Sequence, residues 1–394
     1  MSTEYTEIGS ISQTNFLDLP AVVIGGPPHS GKSVLAYSLT RALREREIPH
    51  YLLRAYPPDY EGDWFLASEP ETVRHLRFKG LPSAAWLPLL QRDIAARHLP
   101  LLVDVGGLPT PEQETLLAAC THGILLTPDP ASRALWAERF TRYQLPVLAD
   151  ITSELHGSQH LAARAPVLRG TLAGLERGQV AQGPLFAALV ERLAAWFIQV
   201  TQGLPRQHLA AAPAELALDL PALARQLGQD PQQWQPAALP EVLDYLPQGQ
   251  PLALYGRGPN WLIAALARYT RPAPCYLFDA RMGWLEVPAL PVGPALATSP
   301  LQGQVEQLPQ GDVWRVQLPT TYLDWTERTQ LHAPVGESTA GVIFSGKLPQ
   351  WLWAALVRAV SAPWVAVYQP QLAGAVVVQG CTGHPPGTVL SVTL

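Results

Sequence analysis

The chain has 394 residues, 47% of them apolar, which is enough for two or three domains with sizeable cores. Charged residues make up only 15% and the net charge is −5, which excludes a self-repelling disordered chain, a general nucleic-acid coat and a polybasic membrane anchor. A nucleic-acid ligand would have to be small and locally bound. Three cysteines far apart, Cys120, Cys275 and Cys381, exclude a disulfide framework and a CxxC metal ribbon. The acidic, polar start MSTEYTEIGS has no secretory pattern, and no apolar run approaches the ~18 residues of a membrane span, so a cytoplasmic protein without membrane contact is expected. Forty prolines predict short elements, and only three of the 27 basic residues are lysines: Lys32, Lys79 and Lys347.

Ala21–Ile24 is an apolar run fit for a buried parallel strand. It leads into Gly26-x-x-x-x-Gly31-Lys32-Ser33 and then into apolar residues at helical spacing, the strand–loop–helix context of a phosphate-binding loop. The glycines let backbone N–H groups approach phosphate, and the helix start adds partial positive charge. Lysine reaches the β- and γ-phosphates, while a hydroxyl at the next position can meet Mg²⁺. Gly26, His29, Ser30, Gly31, Lys32 and Ser33 therefore form a candidate ATP site. Asp104, at the end of the apolar stretch Leu101–Val103, is the candidate partner of Ser33 in holding Mg²⁺. Further strands are expected at Gly123–Thr127 and Pro146–Asp150, flanking a helix with Arg133, Arg139 and Arg142. The alternation predicts an α/β fold with a doubly wound parallel sheet.

No Asn/Thr-Lys-x-Asp segment is present, which disfavours a GTPase. An acid cluster, Asp59, Glu61, Asp63 with Trp64, followed by Arg74, His75, Arg77 and Lys79, has the pattern of an acceptor site and lid in a small-molecule kinase, or simply of a solvated loop. The helix around Leu185–Val200 closes a domain at 1–200, and 201–213 has the composition of a linker.

Beyond it the sequence repeats. Leu254–Arg268 recurs at Phe344–Arg358, offset by 90 residues with eight of fifteen positions identical. Two tandem α/β units are expected, at 206–297 and 300–394, each reading strand, Gly-cation loop, helix, strand, turn, strand. Gly256-Arg257-Gly258 and Gly346-Lys347 are candidate phosphate loops. Trp261 and Trp351 suit either a stacking surface or, at this spacing, a core. Asp279 and Arg281 form an acid/cation pair replaced by Gln369 and Gln371 in the second copy, which suggests a site rather than a shared structural need.

GRGPNWL, ARYTRPAP and LFDARMG, with FSGKLPQWL and APWVAVYQPQLAGAVVV, resemble the small CRISPR-associated ring nucleases of the Csx-three family, here as tandem copies over about 190 residues. GGPPHSGKS with LVDVGG resembles the AAA-labelled P-loop domain fused to that family. The resemblance implies cleavage of cyclic oligoadenylate, with cyclic tetra-adenylate expected, to end antiviral signalling. It implies that Gly256 and Arg257, and by the repeat Gly346 and Lys347, contact phosphates. It also implies that Asp279 and Arg281 are catalytic, Asp279 as base or as a ligand of Mn²⁺ or Mg²⁺. The family's histidine falls near Thr270 or Arg271, and near Val360 or Ser361, so neither copy carries it; His384 is a candidate replacement acid. Three readings remain open: a ring nuclease tuned by ATP, a binding-only sensor gating the P-loop domain, and a nucleotide kinase with oligomerising repeats. A homo-oligomer is expected, because only one copy per chain carries the charged pair.

Overall fold

The computed structural model describes residues 19–55, 86–292, 301–309, 311–318, 323–333 and 338–392. The acid cluster at 59–63 and the basic stretch at 74–79 lie outside the described residues.

The first part is built on β1 (Ala21–Gly25), α1 (Lys32–Arg44), β2 (Tyr51–Ala55), α2 (Trp86–Ala95), β3 (Leu101–Val105), β4 (His122–Thr127), α3 (Pro130–Arg142), β5 (Val147–Glu154), β6 (His160–Ala163), β7 (Leu168–Ala173) and α4 (Pro184–Thr201). The strands form one sheet in the order β2-β3-β1-β4-β5-β7-β6, parallel except for β6. β1 and β3 are buried along their whole length, as continuous apolar runs require. Alternate side chains serve opposite faces. Val22 and Ile24 pack with α1 and α4, while Ala21 and Val23 pack with Trp86, Leu90, Trp136 and Phe140 from α2 and α3. The segment Pro184–Ala210 is, against the expectation from sequence, long and apolar enough to cross a membrane by length and composition. Its Leu185, Leu189, Leu193 and Phe197, one turn apart, are fully buried against the sheet, so this face belongs to a core.

Residues 201–213, expected as a linker, carry a further helix, α5 (Leu204–Ala210), with Leu204 and His208 buried. Then follow β8 (Ala217–Asp219), α6 (Leu220–Gln226), β9 (Leu252–Tyr255), α7 (Asn260–Tyr269), β10 (Cys275–Asp279) and β11 (Gly283–Glu286), paired as β11-β10-β9-β8. The final stretch holds β12 (Gln302–Leu308), β13 (Gly311–Gln317), β14 (Val342–Gly346), α8 (Gln350–Ala359), β15 (Val365–Gln369), β16 (Gly374–Gln379) and β17 (Val389–Ser391), a six-stranded sheet in sequence order. β8, β9 and β10 run parallel with β11 antiparallel; β13, β14 and β15 run parallel with β16 antiparallel.

These two sheets share one large core, and the six-stranded sheet has a smaller cluster of its own around Val313, Ile343 and Trp364. One buried cluster runs from Leu220 to Val378 and includes Trp261, Trp314, Trp351 and Trp353, so both repeat tryptophans are core residues. α7 and α8 pack together with a reciprocal exchange. The Arg268 guanidinium donates to the carbonyls of Val357 (2.9 Å) and Val360 (2.7 Å) at the end of α8. Arg358, 90 positions on, donates to Ala267 O (2.6 Å), Thr270 Oγ1 (2.5 Å) and Ala273 O (2.9 Å) at the end of α7. Each arginine thus satisfies orphan carbonyls and the negative end of the opposite helix. Burial lowers both guanidinium pKa values, that of Arg268 to about 10.

Candidate functional site

The Gly26–Ser33 loop leaves β1 and enters α1. Gly31 caps the helix at φ +85°, a conformation that only glycine adopts without cost, and no side chain caps the first turn. The amides of that turn are left to a ligand. A Cβ on Gly26 would come within 2.0 Å of Leu126 O, so the loop entrance admits no side chain. Lys32 Nζ folds back onto Pro27 O at 2.6 Å. Burial lowers its pKa to about 8 against the opposing pull of Asp104. Ser33 Oγ donates to Asp104 Oδ2 at 2.6 Å. The register that sets Ile24 beside Asp104 brings these residues together, since β1 and β3 are direct neighbours. The hydroxyl–carboxylate pair suits Mg²⁺, which is bound through one or two oxygen ligands plus waters and phosphates. Ser30 Oγ is buried with no hydrogen-bond partner, and His29, also at positive φ, is exposed at the loop tip. The residues present therefore fit a Mg²⁺-nucleotide. Among the described residues no cluster of three or more His, Cys, Asp or Glu is arranged to hold a metal on its own.

Arg54 was not foreseen, although an arginine within the otherwise apolar strand Tyr-Leu-Leu-Arg-Ala is itself a signal. It pairs in register with Asp104, and its Nε lies 3.6 Å from Asp104 Oδ2.

The second candidate site lies where the two halves of the repeat meet. Gly256, at φ +89°, turns the chain out of β9 into the Arg257 loop, and Pro259 caps α7; Pro349 caps α8 in the same way after Gly346-Lys347. Gln350 Nε2 donates to Gly258 O at 2.7 Å, so the two cationic loops and the starts of their helices adjoin.

Asp279 and Arg281 leave the same edge of the sheet as Gly256, since Leu277 of β10 pairs with Leu254 of β9. Asp279 accepts from Arg281 N (2.8 Å), Nε (3.0 Å) and Nη2 (2.9 Å). Burial opposes ionisation of Asp279, yet the charge and hydrogen bonds of Arg281 outweigh it and hold the carboxyl below its usual range. The turn docks on the first part of the chain. Arg281 Nη1 is 3.6 Å from Asp93 Oδ2, and its guanidinium lies 5.7 Å from the Tyr51 ring centroid. Asp93, fully buried, also takes Arg92 at 2.6 Å, and Arg92 reaches Asp324 at 2.5 Å. A chain of alternating charge, Asp279–Arg281–Asp93–Arg92–Asp324, thus joins three parts of the sequence.

His98 completes this joint. Its backbone N–H donates to Ala280 O at 2.8 Å, and its ring rests on Gly283, where a Cβ would lie 2.9 Å from Nε2. Burial lowers its pKa against the pull of Asp279. His208 stands 6.0 Å from it, ring to ring, with Nδ1 3.1 Å from the Tyr255 hydroxyl, and burial brings its pKa to about 4. Neither histidine carried a motif, because the partners come from distant sequence. His384, the candidate replacement acid, lies in the turn between β16 and β17, bridged to Cys381, with its ring stacked on Trp364 at 4.7 Å.

By fold the chain is a mixed α/β protein with three sheets rich in parallel strands among the described residues. Residues 317–391, from the end of β13 through β17, match the family model described as CRISPR-associated protein (Cas_csx3), which marks a CRISPR-associated domain there. No curated protein matches the chain.

Proposed function

We propose that the protein is a CRISPR accessory enzyme that binds a cyclic oligoadenylate between the Arg257 and Lys347 loops and opens it, under the control of a P-loop domain that binds ATP and Mg²⁺. The observation that carries this reading is the contact from Gln350 to Gly258, which sets two cationic helix starts side by side as a receptor for a symmetric, phosphate-rich ring. Ring opening needs a ribose 2′-hydroxyl in line with phosphorus, a cation on the developing charge and a proton acceptor. Asp279, whose carboxyl Arg281 holds below its usual range, and His98, whose pKa burial lowers, are the proton-handling groups at this turn. Arg257 and Lys347 hold phosphates. In the first domain Lys32 and the α1 amides hold the triphosphate, and Ser33 with Asp104 holds the metal, which supplies charge neutralisation. The direct β1–β3 pairing supports this reading, because it brings the Gly26–Ser33 loop and Asp104 to one end of the sheet.

A second reading, a binding-only sensor, draws on the engagement of Arg281 with both Asp279 and Asp93, which makes the charged turn a joint between domains. Labelled cyclic tetra-adenylate, incubated with and without ATP and metal and resolved on a gel, separates the two. Linear product supports the enzyme. Intact ring whose binding changes ATP affinity supports the sensor, and no binding at all refutes both.

A further inference from the structure

We infer that Arg54 reads the terminal phosphate of the bound nucleoside triphosphate, and that without nucleotide the same side chain occupies the metal-binding carboxylate. The inference rests on the nucleotide reading of the Gly26–Ser33 loop and adds to it a residue that no motif contains.

The geometry is one of competition for a single oxygen. Asp104 Oδ2 accepts Ser33 Oγ at 2.6 Å and lies 3.6 Å from Arg54 Nε. Ser33 and Asp104 are the pair fitted to the metal, so a divalent cation there would face the guanidinium at close range. Like charges in a buried site repel strongly, and Arg54 has to leave that oxygen as the metal arrives. The backbone cannot take it away. Arg54 is the fourth residue of β2, paired in register with Asp104, and its neighbours Leu53 and Ala55 are packed in the core. Any such movement has to come from the side chain. Because β2, β3 and β1 run parallel, Arg54, Asp104 and the loop after β1 emerge at one sheet edge. Phosphate oxygens held together with that metal would be the anions offered to a long cationic side chain at this edge. A forked guanidinium suits phosphate oxygens better than an ammonium would. An arginine in a buried strand is otherwise costly, and a structural ion pair alone would not require it to share the metal's oxygen.

The test compares wild type, Arg54→Met and Arg54→Lys for binding of fluorescent ATP and ADP with Mg²⁺, and for Mn²⁺ binding without nucleotide by paramagnetic resonance. In Arg54→Met, ATP affinity falls by roughly tenfold while ADP affinity stays within about twofold. Mn²⁺ binding tightens, because Asp104 has lost its competitor. Arg54→Lys falls between. A merely structural role predicts that ATP, ADP and metal affinities weaken together, and that result overturns the inference, as does unchanged discrimination between ATP and ADP. Failure of the wild type to bind ATP overturns the nucleotide reading, and the inference with it.

Discussion

Replacement of Arg281 by alanine should loosen the joint between the first sheet and the repeats. Arg281 gives Asp279 a bidentate partner and stands 3.6 Å from Asp93, which is fully buried. Breaking a buried ion pair by removing one partner costs about 3–5 kcal/mol. Here the loss falls at or below the foot of that range, about 2–3 kcal/mol, because Arg92 remains 2.6 Å from Asp93 and the Asp279 side chain keeps 19% of its exposure. A double-mutant cycle of Arg281→Ala with Asp93→Asn, followed by thermal and urea unfolding, should give a coupling energy of about 1–2 kcal/mol. Additivity within ~0.5 kcal/mol would refute the claim that these charges act together across the joint. The sign of the pH dependence follows from Asp279. Its folded pKa is lowered, so its contribution is complete above the ordinary carboxylate value of 3.8 and is lost as pH falls through the lowered value. Arg281→Ala should therefore unfold less steeply in acid than the wild type, and at neutral pH the difference between the two should not change with pH.

Lys32 has its folded pKa lowered to about 8, so its burial penalises the folded state fully below pH 8 and progressively less as pH rises toward 10.5. Lys32→Met should consequently raise stability below pH 8, by up to about 3 kcal/mol, while removing ATP binding. Wild-type ATP affinity should be flat up to pH 8 and fall by at most about tenfold per unit above it, and a flat profile to pH 10 in an isothermal titration series counts against the assignment. Asp104→Asn should weaken the Mg²⁺ dependence of nucleotide binding more than binding itself, and an unchanged dependence would remove Asp104 from the metal site. Arg358→Ala and Arg268→Ala should each cost about 2–3 kcal/mol in urea titrations, since each strands several helix-end carbonyls; one neutral member would contradict the reciprocal arrangement.

What was legible in the sequence was what is local. Ala21–Ile24 and Leu101–Val103 read as buried strands because parallel strands covered on both faces leave continuous apolar runs, and β1 and β3 are those strands. The Gly31-Lys32-Ser33 corner could be read because φ +85° at one position and a helix start at the next demand particular residues. The contact of Ser33 with Asp104, 71 positions away, followed once both were placed at strand ends. The strands β6 and β7 and the helix α5 escaped notice. Their sequences are short, rich in small and polar residues, and stabilised by the edges and faces they pack on rather than by their own periodicity.

The repeat was legible for the same reason, but what it builds was not. Eight shared positions out of fifteen imply two copies of a unit, and a unit of 90 residues is long enough to fold alone. Yet the shared positions, Trp261 and Trp351 among them, are buried in one common core, and the shared arginines Arg268 and Arg358 bind each other's helices. Conserving these residues between the copies conserves an interface. The positions that differ then acquire their meaning from outside the repeat. Arg281 meets Asp93 and the adjacent Ala280 meets His98, residues of the first part of the chain, whereas the side chains of Gln369 and Gln371 bond to each other. An asymmetric pair in a symmetric unit marks the side on which a third element docks, and here that element also carries the Gly26–Ser33 loop. The Asp279–Gly283 turn therefore joins the sheet that carries the Gly26–Ser33 loop to the loops at Arg257 and Lys347, and under the function proposed above it is the path by which ligands at the two would affect each other.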